Sequence, residues 1–387
     1  MPIRFPTRLF TTALIGGLAM LVAVMSRAMP DGTVDQIVAR HVAAMLETPG
    51  GVAIAVRSGG RTRFYNYGTA DRSRPVSSDA LFDLASVGKV FDTSLLALAD
   101  QRGELSLDDP VARHVVELQQ GGNVRSFTLR QLATYTSGFV LPQDHPPWPQ
   151  ETFTLPQFIA ALNGWSSDKD HEPGRQMIYS HAGFVLLHLA LERRFGMPYD
   201  ELMKQRLLEP LGLRSTTLPV AAADATLHPR GEIPAALARR AVQAYSTDGT
   251  PTRAPGDVQG YYLWPGTGQM YASARDLAVF LTANLGELPN EAALQEAMRR
   301  TRQGVFPIDE RTDQALAWEV HKGRKTGQET GQETGHETIV DKFGGMDNAS
   351  AYIGLVRERK VGIVILGNRG NMAAWETGRR ILRVLAQ

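Results

Sequence analysis

Apolar stretches near both ends of the chain predict β-strands. Residues 51–56 are apolar, and a Ser-Gly-Gly turn leads from them into residues 61–67, which are rich in aromatic residues and threonine. This pattern indicates a β-hairpin. Residues 350–356 and 361–366 indicate a second hairpin near the C-terminus, and its second strand is apolar on both faces.

A strand without polar alternation must be covered on both sides of its sheet. Residues 34–46 and 373–385 have helical periodicity, and we expect these two terminal helices to be the covers. The hairpins would then form one sheet that joins the chain ends. Between them the pattern changes to helical segments with long polar connections, at residues 155–162, 182–195 and 199–208.

The predicted fold class is therefore α+β, an α/β sandwich with an antiparallel sheet from both chain ends, flanked by terminal helices. We assign residues 29–79 and 286–387 to this sheet domain and residues 80–285 to an inserted, mostly helical domain. Residues 327–338 repeat Gly-Gln/His-Glu-Thr three times and are predicted to be a solvated loop.

The N-terminus has the pattern of an export signal. Arg4 and Arg8 precede an apolar run over residues 9–24, and Ser26-Arg27-Ala28 suits signal peptidase. We expect residues 1–28 to be cleaved and the mature protein to be periplasmic. The alternative is an uncleaved anchor, but the run is shorter than the roughly 20 apolar residues that span a bilayer.

Composition narrows the function classes. The formal charge of +1 gives no basic surplus for nucleic acid, so we expect a small-molecule substrate and no nucleic-acid partner. We also expect a monomer. The chain has no cysteine, which excludes disulfides, thiolate chemistry and cysteine zinc sites. None of the nine histidines lies in an H-E-x-x-H or H-x-H arrangement, so we expect neither a metal nor another cofactor.

The strongest chemical signal is Ser86-Val87-Gly88-Lys89, which opens an apolar helical pattern, so that we expect the helix to begin at Ser86. Residues three apart share a helix face, so the Lys89 amine can reach the Ser86 hydroxyl. A buried lysine can be held neutral and can then accept the hydroxyl proton, which gives a nucleophile without histidine. Taken alone, Ser86 would equally suit a helix cap.

A second S-x-x-K sequence, Ser166-Ser167-Asp168-Lys169, serves as a test of this choice. It lies among Asp168, Asp170 and Glu172 in a polar connection, where its lysine would be solvated and protonated. We therefore choose Ser86 and Lys89.

Several motifs together resemble the serine β-lactamases and penicillin-binding proteins, class C β-lactamases most of all. Those families combine S-x-x-K with a Tyr/Ser-x-Asn element and a Lys-Thr-Gly strand. The similar segments in this chain extend over the whole mature sequence: 132–138 (LATYTSG), 173–175 (PGR), 179–183 (YSHAG), 209–213 (EPLGL) and 273–277 (SARDL).

The resemblance implies a role for Tyr179 as the family's tyrosine, which shares proton transfer with the lysine and helps to activate water. Without the other motifs, a tyrosine that anchors its loop would be the simpler interpretation. His181 stands where the family has asparagine. An imidazole cannot present an amide's carbonyl and NH2 together, so His181 is either an altered substrate contact or a structural replacement.

The third element has two candidates. Lys325-Thr326-Gly327 matches the family's triad literally but lies at the edge of the repeat loop with no strand after it. Lys342-Phe343-Gly344-Gly345 departs in sequence but precedes the predicted hairpin at the family's spacing, and Asn368 ends that hairpin. We choose Lys342, which would attract a substrate carboxylate, while the backbone N–H groups of Gly345 and Ser86 would form an oxyanion hole.

Two further residues bear on the substrate. Phe343 replaces a threonine hydroxyl, so recognition of a carboxylate should weaken, since such a hydrogen bond is worth roughly 1.5–3 kcal/mol. Gln143 resembles a family residue that contacts the substrate side chain.

Three functions remain open from the sequence. The first is a periplasmic β-lactamase that forms an acyl-enzyme at Ser86. The second is an esterase or D-amino-acid peptidase of the same fold, because His181 and Phe343 both differ where substrates are recognised. The third is a penicillin-binding sensor that is acylated without turnover.

Overall fold

The computed structural model describes residues 31–46, 49–118, 122–139, 155–221, 231–255, 257–258, 270–289, 291–323 and 337–387. The predicted export signal, Gln143, the Lys325-Thr326-Gly327 triad and residues 327–336 of the repeat loop lie outside these ranges.

Helices occupy the segments for which helical periodicity was predicted, and several others. Those described are α1 (Asp31–Val42), α2 (Lys89–Gln101), α3 (Leu129–Ala133), α4 (Leu155–Gly164), α5 (His181–Phe195), α6 (Tyr199–Met203), α7 (Ala235–Ala238), α8 (Ala274–Asn284), α9 (Ala292–Thr301) and α10 (Ala374–Leu385). A π-helical turn, Lys204–Leu208, continues α6. None of the helices in these ranges is long and apolar enough to cross a membrane.

Strands are concentrated at the two ends of the chain. In chain order they are β1 (Gly51–Ser58), β2 (Arg61–Gly68), β3 (Leu81–Asp83), β4 (Thr216–Thr217), β5 (Val220–Ala221), β6 (Gly231–Glu232), β7 (Ala244–Tyr245), β8 (Pro251–Arg253), β9 (Asp257–Val258), β10 (Tyr271–Ser273), β11 (Phe306–Pro307), β12 (Thr312–Gln314), β13 (Glu319–His321), β14 (Ile339–Met346), β15 (Ala349–Val356) and β16 (Val361–Gly367).

The main sheet has eight antiparallel strands in the order β11-β12-β13-β14-β15-β16-β1-β2. The N-terminal strand β1 pairs with the C-terminal strand β16, so that Val52 lies opposite Gly367 and Val56 lies opposite Ile363. Both predicted hairpins are therefore present, and the sheet joins the chain ends. The predicted α+β class is confirmed.

Each face of this sheet supports a separate hydrophobic core. Val52, Ile54 and Val56 of β1 pack with α1 and α10. Ala53 and Ala55 point to the other face, which is covered by α8. The two terminal helices therefore lie together on one face, and α8 provides the second cover that we had expected from one of them. β1 needs both covers because its apolar residues do not alternate with polar ones.

Asn368, directly after β16, fastens three parts of the chain to one another. Its side-chain oxygen accepts a hydrogen bond from the backbone N–H of Gly51 at 2.7 Å. Its amide nitrogen donates to the carbonyls of Thr69, at 3.1 Å, and Gln243, at 2.9 Å. One amide thus ties the ends of the neighbouring strands β16 and β1 to the predicted insertion. The domain boundaries at residues 80 and 285 stay a prediction.

Candidate active site

Ser86 lies in a strained turn between β3 and α2. A 3₁₀-helix, Ala85–Gly88, carries the serine, and the α-helix itself begins at Lys89 instead of at Ser86. Ala85 has a positive φ of 45°, and the Asp83 carboxylate accepts a hydrogen bond from its backbone N–H at 2.8 Å. Such a backbone conformation is costly and persists only when its surroundings fix it. Ser86 is partly exposed between buried neighbours.

Lys89 is completely buried beneath this serine. Its Nζ donates to Ser86 Oγ at 3.5 Å and lies 5.4 Å and 5.5 Å from the ring centres of Tyr179 and Phe184. One helical turn separates the two residues, as their spacing in the sequence predicted.

Tyr179 reaches the serine from a different part of the chain. The backbone N–H of Ile178 donates to the carbonyl of Tyr135 at 2.8 Å, and the rings of Tyr135 and Tyr179 stack with centroids 4.7 Å apart. The Tyr179 hydroxyl lies 2.6 Å from Ser86 Oγ. Lys89 Nζ and the Tyr179 hydroxyl therefore both lie within hydrogen-bond reach of a single atom, Ser86 Oγ.

His181 begins α5 beside this group. Ser180 caps the helix by accepting a hydrogen bond from the N–H of Gly183 at 3.1 Å. The His181 ring meets the Tyr179 ring edge to face, with centroids 5.3 Å apart, and it is partly exposed. The His181 side chain is thus positioned next to Tyr179 in the candidate site.

β14 closes the other side of the site. Lys342 is only 4% exposed, and its Nζ donates to the Tyr135 hydroxyl at 3.2 Å. Burial lowers the pKa of Lys342, although the neighbouring Tyr179 favours its charged form. Burial likewise raises the pKa of Tyr135 well above its usual value. The amine is therefore held inside the protein, between two tyrosine rings.

Gly344 and Gly345 differ in what surrounds them. A Cβ atom on Gly344 would lie 2.5 Å from the carbonyl oxygen of Leu84 and 2.9 Å from the backbone nitrogen of Ser86. A Cβ on Gly345 would meet nothing within 4 Å. β14 can approach the turn that carries Ser86 this closely only because residue 344 has no side chain. The next residue along the strand, Gly345, faces open space.

Phe343 points away from Lys342, because successive side chains of a strand point to opposite faces. It lies on the α10 side of the sheet, where its ring centre is 6.2 Å from that of Trp375.

Behind Lys342 lies a network of charged side chains. Atoms of Glu319, His321 and Asp341 that could bind a metal lie within 4.8 Å of one another. Arg379 donates to the two Asp341 oxygens at 2.6 Å and 3.0 Å, and the Tyr352 hydroxyl donates to the same carboxylate at 2.9 Å. Because a guanidinium already fills this place, the donor set fits an ion-pair network better than a metal centre.

Asp341→Asn is expected to lower the free energy of unfolding by about 3 kcal/mol, because the largely buried Arg379 charge would lose its nearer carboxylate, at 2.6 Å, and keep only Glu319, at 3.4 Å. Burial alone would raise the pKa of Asp341, but hydrogen bonds from His321 and Arg379 hold it below its usual value. The stabilisation is therefore present above the unfolded-state pKa of about 4 and is lost as the pH falls through the folded-state value.

Urea unfolding of Asp341→Asn at neutral pH measures this effect. Asp168→Asn is the control, since its side chain is 64% exposed. If the free energy of unfolding falls no further in Asp341→Asn than in Asp168→Asn, the buried network does not stabilise the protein.

The second S-x-x-K sequence lies elsewhere. Ser166 and Lys169 are exposed in the connection between α4 and α5, and the Ser167 backbone N–H donates to Asn123 Oδ1 at 3.0 Å. The surroundings of Lys169 are solvent, in contrast to the fully buried Lys89.

Three residues of this region were not assigned a role from the sequence. Tyr135 lies within the 132–138 motif, but only its positive φ of 57° and its contact with Lys342 reveal its position. Asp92, one turn beyond Lys89, is buried and accepts a hydrogen bond from the Tyr199 hydroxyl at 2.7 Å. The sequence signal for Asp92 was a charged residue within an otherwise apolar helix. No sequence feature indicated a role for Trp375.

Several known proteins are similar to this chain over most of its length. The β-lactamase family model matches residues 38–387. The β-lactamase of Pseudomonas fluorescens is 28% identical over 369 residues, which cover 89% of this chain and 93% of that protein. The β-lactamase of Lysobacter lactamgenus is 28% identical over 361 residues, which cover 87% of each.

Two solved structures extend the comparison to the fold. The β-lactamase/D-alanine carboxypeptidase of Pseudomonas syringae has 27% identity and a TM-score of 0.76, covering 90% of this chain and 98% of that one. The class C β-lactamase of Rhodobacter sphaeroides has 27% identity and a TM-score of 0.75, covering 91% and 100%. The chain therefore belongs to the β-lactamase family, and it is a serine hydrolase with the β-lactamase/transpeptidase-like fold.

Proposed function

We propose that this enzyme hydrolyses its substrates through a covalent acyl-enzyme on Ser86. The observation that carries this proposal is the position of Ser86 Oγ, 2.6 Å from the Tyr179 hydroxyl and 3.5 Å from Lys89 Nζ. A serine hydroxyl is a weak nucleophile unless a neighbouring base removes its proton. Two groups capable of accepting or relaying that proton lie in contact with it.

In the acylation step, Ser86 Oγ attacks the substrate carbonyl while its proton passes to the group formed by Tyr179 and Lys89. The carbonyl oxygen becomes negative as the tetrahedral intermediate forms. The backbone N–H groups of Ser86 and Gly345 would stabilise it, and the close approach of Gly344 to Ser86 supports this assignment. The intermediate collapses when the leaving group takes the proton from Tyr179.

Deacylation repeats these steps with water in place of serine. Tyr179 lies between two lysine amines, since Lys89 Nζ and Lys342 Nζ are 5.4 Å and 5.2 Å from its ring centre. Positive charge near a phenol favours release of its proton, so Tyr179 suits the general base that activates this water.

The first candidate substrates are β-lactam amides, because the similar proteins are named β-lactamases. Carboxylic esters are the second candidate, and Phe343 is the observation that favours them. Its exposed ring stands where the family's Lys-Thr-Gly element has a hydroxyl, and a hydrocarbon ring cannot hydrogen-bond a carboxylate. We also propose that the mature enzyme acts in the periplasm, as a monomer on small molecules.

Purified protein given a chromogenic cephalosporin and a p-nitrophenyl ester would separate these functions. Steady turnover of the cephalosporin supports a lactamase, and turnover of the ester alone supports an esterase. A single stoichiometric burst with either compound would support a sensor and would contradict hydrolytic turnover. Absence of any reaction at Ser86, checked by mass spectrometry of the protein, would contradict the acyl-enzyme itself.

A further inference from the structure

A buried polar cluster lies one helical turn beyond Lys89, and the proton transfer proposed above does not use it. Asp92 of α2, His188 of α5 and Tyr199 of α6 form this cluster, and none of them is more than 4% exposed. An acidic side chain in the first turn of a helix complements the helix dipole, but it does so in solvent as well. Burial of a carboxylate is costly and therefore indicates a second role for Asp92.

The packing of α2 against α5 places Asp92 next to Lys89. These two residues are three apart and therefore share one face of α2, as Phe184 and His188, four apart, share one face of α5. Lys89 Nζ lies 5.5 Å from the Phe184 ring centre. Asp92 Oδ1 lies 3.2 Å from His188 Nε2. These are successive contacts along one interface, so the carboxylate lies one turn from the lysine, toward which a helical side chain leans.

The Asp92 charge acts on the wall of the active site. Burial is the main reason that the pKa of the Tyr135 hydroxyl lies well above its usual value, and the charges of Tyr179 and Asp92 raise it further. The same hydroxyl accepts the hydrogen bond from Lys342 Nζ at 3.2 Å. The carboxylate is therefore within electrostatic reach of Tyr135, whose ring stacks on that of Tyr179.

The surroundings of Asp92 suit a charged carboxylate. Burial and the Asp92 charge raise the pKa of Tyr199 well above its usual value, so its hydroxyl stays protonated and donates to Asp92 Oδ1 at 2.7 Å. The rings of Tyr199 and His188 stack with centroids 3.5 Å apart. Neither nitrogen of the His188 ring makes a hydrogen bond with a described residue, whereas a charged imidazole would donate to a carboxylate so close to it. The geometry therefore leaves the Asp92 charge without a cation to neutralise it in this cluster.

We propose that Asp92 is a positioning residue whose buried charge sets the pH range over which Ser86 is activated. This inference rests on the acyl-enzyme proposed at Ser86, and Asp92 acts through Lys89 and Tyr179. A nearby negative charge favours the protonated form of an amine and of a phenol alike. Both groups therefore lose their protons at a higher pH than they would without Asp92, whichever of them takes the proton from Ser86 Oγ.

Other titratable groups also face Lys89, Tyr179 and Asp92. Those on the side of the active site are Asp83, Tyr135, His181, Glu319 and Lys342. Those on the far side are His188 and Tyr199. A substitution at position 92 leaves all of them in place, so that the difference between the pH profiles of variant and wild type reports the charge of Asp92.

Asp92→Asn and Asp92→Ser both remove this charge and keep an oxygen to which Tyr199 can donate. The measurement is the pH dependence of kcat/KM with a chromogenic cephalosporin or a p-nitrophenyl ester, whichever wild type turns over faster. It covers the pH range in which circular dichroism shows each variant to be folded. Both limbs of the profile should lie about one pH unit lower than in wild type. Asparagine and serine differ in volume, so an effect of packing would differ between the two variants, whereas an effect of charge is the same.

Asp100→Asn is the matched control, because it removes a carboxylate from the same helix. Asp100 accepts hydrogen bonds from the Leu107 backbone N–H at 2.9 Å and from Arg300 at 2.7 Å. It lies about 16 Å from Lys89 along the axis of α2, at a rise of about 1.5 Å per residue. We expect its pH profile to match that of wild type, even though the protein loses stability.

The outcomes separate the positioning role from the proposed function. A profile that stays in place in Asp92→Asn and Asp92→Ser, moves to higher pH, or moves equally in Asp100→Asn would overturn the role of Asp92 alone. If one of the Asp92 variants does not fold, the other still decides between these results. Hydrolysis that persists in Ser86→Ala would overturn the acyl-enzyme instead. A lowered profile in Asp92 variants that still gain the mass of the acyl group supports both.

Discussion

Replacing Ser86 with alanine is expected to lower kcat by at least about 10⁴-fold, to the small residual rate that binding and the oxyanion hole provide. The reason is that Ser86 Oγ is the atom on which both Lys89 and Tyr179 converge. No acyl-enzyme can form without it. The measurement is steady-state kinetics with the substrate that wild type turns over fastest, together with the mass of the protein after mixing.

Ser166→Ala is the matched control, because it removes the same atom from the other S-x-x-K sequence. Ser166 and Lys169 are both exposed in the connection between α4 and α5. We expect full activity in Ser166→Ala and a mass increase equal to the acyl group in wild type and Ser166→Ala alone. A Ser86→Ala enzyme with wild-type activity would show that the nucleophile has been misassigned.

The sheet could be predicted because its signal is local. Residues 361–366 are apolar on both faces, which fixes the strand as central and requires helices on both sides. The choice of helices could not be derived in the same way. An apolar strand must be covered on both faces, but the sequence does not say which helices cover it. One face of the sheet is covered by α8, from the middle of the chain, where we had expected a terminal helix.

The choice between the two S-x-x-K sequences could be made for a related reason. Both S-x-x-K sequences have the same spacing, and the apolar residues after Lys89 distinguish a lysine that becomes buried from one that stays in water. Burial decides the chemistry, since an amine in solvent remains protonated at neutral pH. The structure agrees with the premise, because Lys89 is fully buried and Lys169 is exposed.

The surroundings of Lys342 and Phe343 were harder to predict because they depend on contacts between distant residues. Trp375 lies 32 positions after Phe343 in the chain, and their contact follows from the way α10 packs across β14. Tyr135 and Lys342 are likewise brought together only by folding. A sequence motif identifies residues that act through their neighbours along one helix or strand, whereas these pairs are products of the tertiary structure.

Tyr179→Phe is the second substitution for which we expect a large effect, a fall in kcat of about 10²–10³-fold with little change in KM. The phenylalanine ring keeps the stacking against Tyr135, whose ring centre is 4.7 Å away, so the loop should hold its position. Only the hydroxyl 2.6 Å from Ser86 Oγ is lost. The defect should therefore lie in proton transfer and not in binding.

Pre-steady-state kinetics divides that defect between the two chemical steps. If Tyr179 activates water as well as Ser86, the variant should form its acyl-enzyme slowly and release it slowly. Tyr65→Phe is the control. Tyr65 lies on the edge strand β2, four strands away from β14, and its hydroxyl donates to Asp35 at 2.6 Å, so loss of that hydroxyl should leave kcat unchanged. A Tyr179→Phe enzyme with wild-type kcat would assign proton transfer to Lys89 alone, since Lys89 is the other group in contact with the serine oxygen.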